Sequence, residues 1–164
     1  MKSDSKPSKD NSVIKVGIDL GTTNSEIAIN INGDAEIIKN AQQDEYTPSV
    51  FGIDKAGNKV VGRKAYDKLY KSSSEEEFVN NKAEIKRLMG TSETVHFERL
   101  DKDLTPEEIS AEILKSLKED VTRKYPEFST VSAVVTVPAH FSQAGKYFTP
   151  SFRGTIAFSM RNLI

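Results

Sequence analysis

Apolar and polar residues alternate along residues 13–31. The apolar positions of the first half are Ile14, Val16, Ile18 and Leu20. Such a period of two predicts a β-strand with one buried face, and it puts Asp19 on the other face, at the end of the strand. The alternation resumes at Ile27 after a short polar segment, so the stretch predicts two antiparallel strands joined by a tight turn.

The next hundred residues predict a mixture of short strands and helices. The pair Asn32-Gly33 favours a type I′ turn leading into a third strand at residues 35–38. The pattern then predicts an edge strand or loop at 45–53, a helix at 64–71, a solvated acidic loop at 72–77, a short helix at 82–89 ended by Gly90, and a strand at 94–100.

The clearest helix signal lies in residues 104–124. Thr105, Pro106 and Glu108 form the pattern of an N-cap, a first helical proline and a capping box. The apolar stripe expected to face the core is Ile109, Ile113, Leu114, Leu117 and Val121. A β-branched run at 131–137 follows and predicts a strand parallel to the first and buried on both faces. Together these elements predict a mixed sheet in an α/β fold.

Composition narrows the classes of protein. The 164 residues suit one domain, and a net charge of −1 gives no support to nucleic-acid binding. The absence of cysteine excludes a disulfide scaffold and thiolate metal sites. No apolar run is long enough to suggest a membrane span or a signal peptide, so the expected location is cytoplasmic.

The turn between the first two strands carries the candidate chemistry. Its residues Gly21, Thr22, Thr23 and Asn24 offer successive backbone N–H groups and two hydroxyls, which suit a phosphate. Asp19 beside them suits Mg²⁺, held through water and phosphate oxygens, so the pair indicates a magnesium-nucleotide. The alternative is an ordinary hairpin whose polar residues satisfy only the turn.

Four separated motifs then resemble one family. They are GIDLGTTNS at 17–25, TPSV at 47–50, EIKRLMG at 84–90 and VTVPAHF at 135–141. Their order and sequences resemble the nucleotide-binding domain of the DnaK-type heat-shock chaperones, and the short segment between the last two resembles the compact outer subdomain of HscC-like members. A sugar kinase or an actin would share the first motif, but it is not expected to carry the last two together.

The resemblance implies a ribonuclease H-like, actin-like ATPase fold, of which the chain would hold the first lobe. Its core would comprise residues 13–50 and 126–144, and an outer α+β subdomain with the return helix would comprise residues 51–125. Residues 1–12, which are polar after the initiator, are expected to form a disordered leader.

The same resemblance implies function and site residues. The intact family couples hydrolysis of ATP to ADP with capture of unfolded polypeptides, assisted by a J-domain co-chaperone and a nucleotide-exchange factor. Asp19 would act through Mg²⁺ and its waters, and Thr22 and Thr23 would hold phosphates. Lys86 would stabilise the transferring phosphoryl group, although a lysine at such a position in isolation is usually only a solvated surface residue.

The second phosphate loop and adenosine clamp would lie beyond Ile164, so we expect the chain alone to be inactive. A non-catalytic regulatory fragment is the alternative.

The resemblance ends near Ala144. Residues 145–164 contain Gly145, Pro150 and Gly154, which oppose a long helix, and no acidic residue occurs after Glu127. We therefore expect an aberrant, loosely packed tail. The alternative is a partner-binding tail in which aromatic and basic residues interleave.

Overall fold

A computed structural model of the chain describes residues 13–136 and the backbone of one further strand at 155–159. In chain order the strands are β1 (Val13–Leu20), β2 (Asn24–Ile31), β3 (Asp34–Ile37), β4 (Thr47–Pro48), β5 (Phe51–Ile53), β6 (Lys59–Val61), β7 (Asn81–Lys82), β8 (Val95–Phe97), β9 (Lys102–Leu104), β10 (Thr130–Thr136) and β11 (Thr155–Ser159). The α-helices are α1 (Arg63–Lys71), α2 (Glu75–Val79) and α3 (Pro106–Lys124).

The main sheet has the strand order β11-β10-β1-β2-β3, and β4 pairs with β2. β1 is antiparallel to β2 and parallel to β10. This mixed arrangement confirms the predicted sheet. Its first hairpin shows the expected alternation, with the even-numbered residues of β1 buried and Lys15, Gly17 and Asp19 exposed. Asn32 and Gly33 both have positive φ, at 56° and 98°, as a type I′ turn requires.

The strand β10 differs from its prediction. Ala133 is fully buried on one side, but Val134 on the other side is 42% exposed. The β-branched run therefore forms the predicted parallel strand without being buried on both faces. The neighbouring strand β11 pairs antiparallel with β10, which the interpretation of residues 145–164 as a loosely packed tail did not predict. Pro138 and the remainder of that tail lie outside the described residues, as does the predicted leader.

A second, three-stranded sheet has the order β6-β5-β7 and carries α1 and α2. The helix predicted at 64–71 is present. The loop predicted at 72–77 is wrong at its end, because α2 begins at Glu75 and buries the side chain of Glu77. The acidic composition of this stretch suggested a solvated loop. In the structure Glu77 can be buried because it forms an ion pair with Arg99, whose Nη2 lies 2.9 Å from Glu77 Oε1.

The helix predicted at 82–89 is also wrong in extent. Lys82 belongs to β7, and Glu84 adopts a left-handed conformation with φ of 58°. A single 3-10 turn then spans Ile85–Leu88, and Gly90 follows with φ of 78°. Likewise, the strand predicted at 94–100 ends at Phe97 and continues as a 3-10 turn, Glu98–Leu100.

α3 connects the two parts of the fold. Its capping box is formed as predicted, and the five residues of its apolar stripe are buried. Ile109 packs in the outer core with Phe51 and Phe97, while Leu117 packs in the core of the main sheet with Ile18. Over the part of the chain that the structure describes, no helix combines the length and apolar character needed to cross a membrane.

Candidate functional site

The turn between β1 and β2 is tight around Gly21. A Cβ at residue 21 would lie 2.0 Å from the backbone oxygen of Asn24, which is closer than any real contact. Glycine is therefore required here for the chain to fold back on itself. Thr22 is half-buried, and Thr23 and Asn24 are exposed, so the turn presents its polar residues at the surface.

Asp19 lies beside this turn on the open face of the sheet. Its strand neighbours in register are Glu26 on β2 and Thr136 on β10. The Thr136 hydroxyl donates a hydrogen bond of 2.5 Å to Asp19 Oδ1, which fixes one oxygen of this exposed carboxylate. The sequence did not identify Thr136 as part of the site, although the parallel pairing of its strand with β1 offered a signal.

Lys86 reaches the same turn from the 3-10 turn at Ile85–Leu88. Its ammonium group donates a hydrogen bond to the backbone oxygen of Leu20, the residue between Asp19 and Gly21. The two residues are 66 positions apart in the sequence, so the contact is produced by the tertiary fold. The structure thus brings together the residues that the resemblance selected.

The segment that carries Lys86 is anchored on both sides. Ile85 is 3% exposed and packs in the outer core. On the other side, the Gly90 N–H donates a hydrogen bond of 3.1 Å to the carboxylate of Glu107 in the first turn of α3. These contacts hold the 3-10 turn that carries Lys86 against the body of the fold.

The far side of the turn is anchored by the segment around β4. The Ser49 N–H donates a 2.8 Å hydrogen bond to the backbone oxygen of Thr23, and the hydroxyls of Ser25 and Ser49 lie 2.8 Å apart in a buried position. The TPSV motif was used in the sequence analysis only as part of the family resemblance, and the support that Ser49 gives to the turn was not predicted. Both serines are small and polar, which suits a buried hydroxyl pair.

The arrangement can bind an anion and a hard cation side by side. A turn with exposed amide and hydroxyl groups, together with an ammonium group, attracts phosphate oxygens. An exposed carboxylate at the same position suits Mg²⁺, which keeps much of its water shell. The donor set therefore fits a magnesium-nucleotide.

Comparisons with known proteins agree with this geometry. The profile of the family described as Hsp70 protein matches residues 15–157, which extends past the point where the recognisable motifs end. The chain is 42% identical to the chaperone protein DnaK of Metamycoplasma hominis over 134 residues, which is 82% of this chain and 21% of that protein. Identity to the chaperone protein DnaK of Thermosipho africanus is 43% over 135 residues, with the same shares of the two chains.

The chain thus spans about a fifth of the length of these relatives. The mixed α/β architecture fits a lobe of an actin-like ATPase, and the similar proteins are chaperones, so an actin or sugar-kinase relationship is not favoured. Because the profile covers most of the chain, the family is established: the chain belongs to the Hsp70 family.

Proposed function

We propose that this chain binds a magnesium-nucleotide, ATP or ADP, at the turn between β1 and β2, as one part of an ATP-dependent protein-folding chaperone. The observation that carries the proposal is the hydrogen bond from Lys86 to the Leu20 oxygen, which delivers a cation from a distant motif to the turn. A solvated surface lysine has no reason to reach back to a glycine turn 66 residues away.

Each residue of the site would have a distinct task. Gly21 allows the tight turn, and Thr22, Thr23 and Asn24 offer donors to phosphate oxygens. Asp19, oriented by Thr136, would hold Mg²⁺ through its waters. Bound Mg²⁺ would neutralise phosphate charge. Lys86 would leave the Leu20 oxygen and turn to the terminal phosphate, where an ammonium stabilises developing negative charge.

The finer architecture belongs to the same proposal. We assign a ribonuclease H-like core to residues 13–50 and 126–144, and an outer α+β subdomain with the return helix to residues 51–125. The division is supported by the two sheets and their two separate cores, which share α3 as a common support.

The wider activity is inferred from the family. In a complete protein, nucleotide hydrolysis would drive capture and release of unfolded polypeptides, with a J-domain co-chaperone and a nucleotide-exchange factor as partners. A cytoplasmic location is part of the same proposal.

Calorimetric titration of the purified chain with MgADP and MgATP tests the proposal. We expect saturable binding that is removed by chelating Mg²⁺ and abolished by Asp19→Lys, because a cation in place of the carboxylate repels the metal. Lys39→Ala, an exposed lysine in the same subdomain, is the control and should bind like the unchanged chain. Equal nucleotide binding by Asp19→Lys and the unchanged chain would contradict the proposed site.

A further inference from the structure

The segment that carries Lys86 is too short to hold its own shape. It is a 3-10 turn of four residues, Ile85–Leu88, and it lies between two residues with left-handed backbone, Glu84 at φ 58° and Gly90 at φ 78°. The hydrogen bond that closes the end of the turn, from the Met89 N–H to the Lys86 oxygen, is long at 3.4 Å. A turn of this length is not stable on its own, because its few bonds fix many torsions. Contacts from outside the turn must therefore determine the direction in which Lys86 projects.

Those contacts come from the first turns of α3. At the start of the 3-10 turn, Ile85 is 3% exposed in the outer core, and α3 packs against the turn. After the end of the turn, the Gly90 N–H donates to Glu107 Oε1 at 3.1 Å, and the Ser110 hydroxyl donates to Met89 Sδ at 3.5 Å. One helix thus holds the turn at both ends.

Glu107 is the charged member of these contacts. A hydrogen bond to a carboxylate is stronger than one between neutral groups, so the bond from Gly90 is the firmest polar contact at this end of the turn. The Glu107 side chain is half-buried and directed at the Lys86 segment, whereas the neighbouring carboxylate of Glu108 is committed to the capping box. The two adjacent carboxylates therefore have different tasks, one within the helix and one outside it.

α3 also holds the turn that would receive the nucleotide. Leu117 of the same helix is 1% exposed and belongs to the same core cluster as Leu20. Leu20 is the residue whose backbone oxygen accepts the hydrogen bond from the Lys86 ammonium group. The ammonium group and its acceptor are thus both held by one helix, and Glu107 supplies the polar contact at the Lys86 end.

We propose that Glu107 is a positioning residue for Lys86 and thereby sets the ratio of the affinities for ATP and ADP. This proposal rests on the proposed function, in which Lys86 turns to the terminal phosphate of ATP, a group that ADP lacks. The bond from Gly90 to Glu107 keeps the 3-10 turn in place, so the ammonium group rests on the Leu20 oxygen in the free chain and remains within reach of that phosphate. Without this bond the end of the turn moves, and Lys86 loses its fixed position.

Four variants separate this role from general effects of charge and stability. Glu107→Ala removes the acceptor, and Glu107→Gln removes the same charge but keeps a side-chain oxygen that can accept from Gly90. Glu119→Ala makes the same change at an exposed position about 18 Å further along α3. Lys86→Ala gives the affinity ratio in the absence of the ammonium group.

The first measurement needs no nucleotide. NMR relaxation of the Lys86 methylene next to the ammonium group gives an order parameter that reports how firmly the side chain is held in the free chain. We expect Glu107→Ala to lower this order parameter to that of an exposed lysine such as Lys39, and Glu107→Gln and Glu119→Ala to leave it high. An unchanged order parameter in Glu107→Ala, or an equal fall in Glu107→Gln, would overturn the proposal.

The second measurement is the ratio of the affinities for MgATP and MgADP, from calorimetric titration. Loss of a hydrogen bond to a charged group should lower the ratio about tenfold in Lys86→Ala and at least about threefold in Glu107→Ala, and Glu107→Gln and Glu119→Ala should keep it within about twofold. A general loss of stability would weaken both nucleotides alike and leave the ratio unchanged.

The outcomes distinguish the two proposals. A ratio that falls in Lys86→Ala but not in Glu107→Ala would overturn the role of Glu107 and leave the nucleotide site intact. A chain that binds neither nucleotide would contradict the proposed function and the affinity ratio with it, while the order parameter of Lys86 would still decide whether Glu107 positions that side chain.

Discussion

Gly21 and Asn24 approach each other so closely across the first turn that a side-chain carbon on residue 21 would lie 2.0 Å from the Asn24 oxygen. The obstructing atom belongs to the backbone, so it cannot move aside as a flexible side chain could. The shape of the turn therefore depends on the absence of a side chain at residue 21, independently of any ligand.

Replacing Gly21 with alanine tests that dependence. We expect Gly21→Ala to force the turn open, to lower the free energy of unfolding by roughly 1 to 3 kcal/mol, and to remove nucleotide binding. Gly17→Ala is the matched control, because a Cβ at residue 17 has no heavy atom within 4 Å and the residue lies in the strand β1 that leads into the turn. Thermal unfolding followed by circular dichroism compares the two variants. Equal loss of stability in both would show that the close approach at residue 21 is not the cause.

The N-cap of α3 provides a second test. The Thr105 hydroxyl accepts a hydrogen bond from the Glu108 N–H at 3.2 Å, and the Glu108 carboxylate accepts from the Thr105 N–H at 2.8 Å. We expect Thr105→Ala to lower the free energy of unfolding by about 1 kcal/mol. Thr122→Ala makes the same substitution at an exposed position of the same helix and should have little effect or a slight stabilising one, since alanine is the better helix former. A denaturant titration in which the two variants unfold at the same midpoint would show that the cap is unimportant.

The buried pair of Glu77 and Arg99 makes stability depend on pH. The hydrogen bond from Arg99 lowers the pKa of Glu77 in the folded protein. The ion pair therefore contributes its full stabilisation above the ordinary carboxyl pKa of about 4.3. This contribution is lost as the pH falls through the lowered pKa of Glu77 in the folded protein. We expect Glu77→Gln to cost roughly 2 kcal/mol at pH 7 and to reduce the difference in stability between pH 7 and pH 3. Chemical unfolding at a series of pH values measures both effects.

Asp120 offers a comparison of opposite sign. It is 5% exposed, and burial raises its pKa despite its ion pair with Arg123. A raised folded-state pKa means that this carboxyl disfavours the fold at pH 7 and ceases to do so as the pH falls and it becomes protonated. Asp120→Asn should therefore lose much less stability at pH 7 than Glu77→Gln, and any difference from the unchanged chain should diminish towards acid pH. Glu77→Gln should reduce the stability gained between pH 3 and pH 7, and Asp120→Asn should increase it. A change in the same direction for both variants would contradict the assigned causes.

Local patterns were sufficient to predict much of this fold. The type I′ turn at Asn32-Gly33 and the capping box at Thr105 depend on residues within a few positions of each other, and both are present. The apolar stripe of α3 was also correct, because its period is a property of the helix alone.

The errors arose where distant residues decide the structure. Glu77 looked like part of a solvated loop, since its partner Arg99 lies 22 residues further along the chain. The helix predicted across 82–89 is interrupted because β7 pairs with β5 and Ile85 turns into the outer core, neither of which has a local signal. The position of Lys86 at the turn came from resemblance alone, since no periodic pattern links it with Leu20. Ser49 was missed as part of the site for the same reason, whereas Thr136 was missed although the predicted parallel pairing of its strand with β1 offered a signal.

Catalysis by the purified 164-residue chain is the final prediction. We expect no steady-state ATP hydrolysis at the rate of an intact chaperone. Phosphoryl transfer depends on positioning and on charge stabilisation from several directions. The described residues supply Asp19 and the turn at one end of the main sheet, and Lys86 from the neighbouring 3-10 turn. Loss of one preorganised stabilising group typically costs about 3 to 4 kcal/mol in the transition state, so a site formed from one side alone is expected to be slow.

Phosphate release with Lys86→Ala as the control checks this expectation. The substitution removes the ammonium group and leaves the backbone of the 3-10 turn unchanged. Hydrolysis that persists in Lys86→Ala therefore comes from a contaminating ATPase. Hydrolysis at intact-chaperone rates that disappears in Lys86→Ala would show instead that the chain completes its own site. Sedimentation at the assay concentration would then establish whether a second copy supplies the missing groups, since turnover would rise with the fraction of self-associated chain.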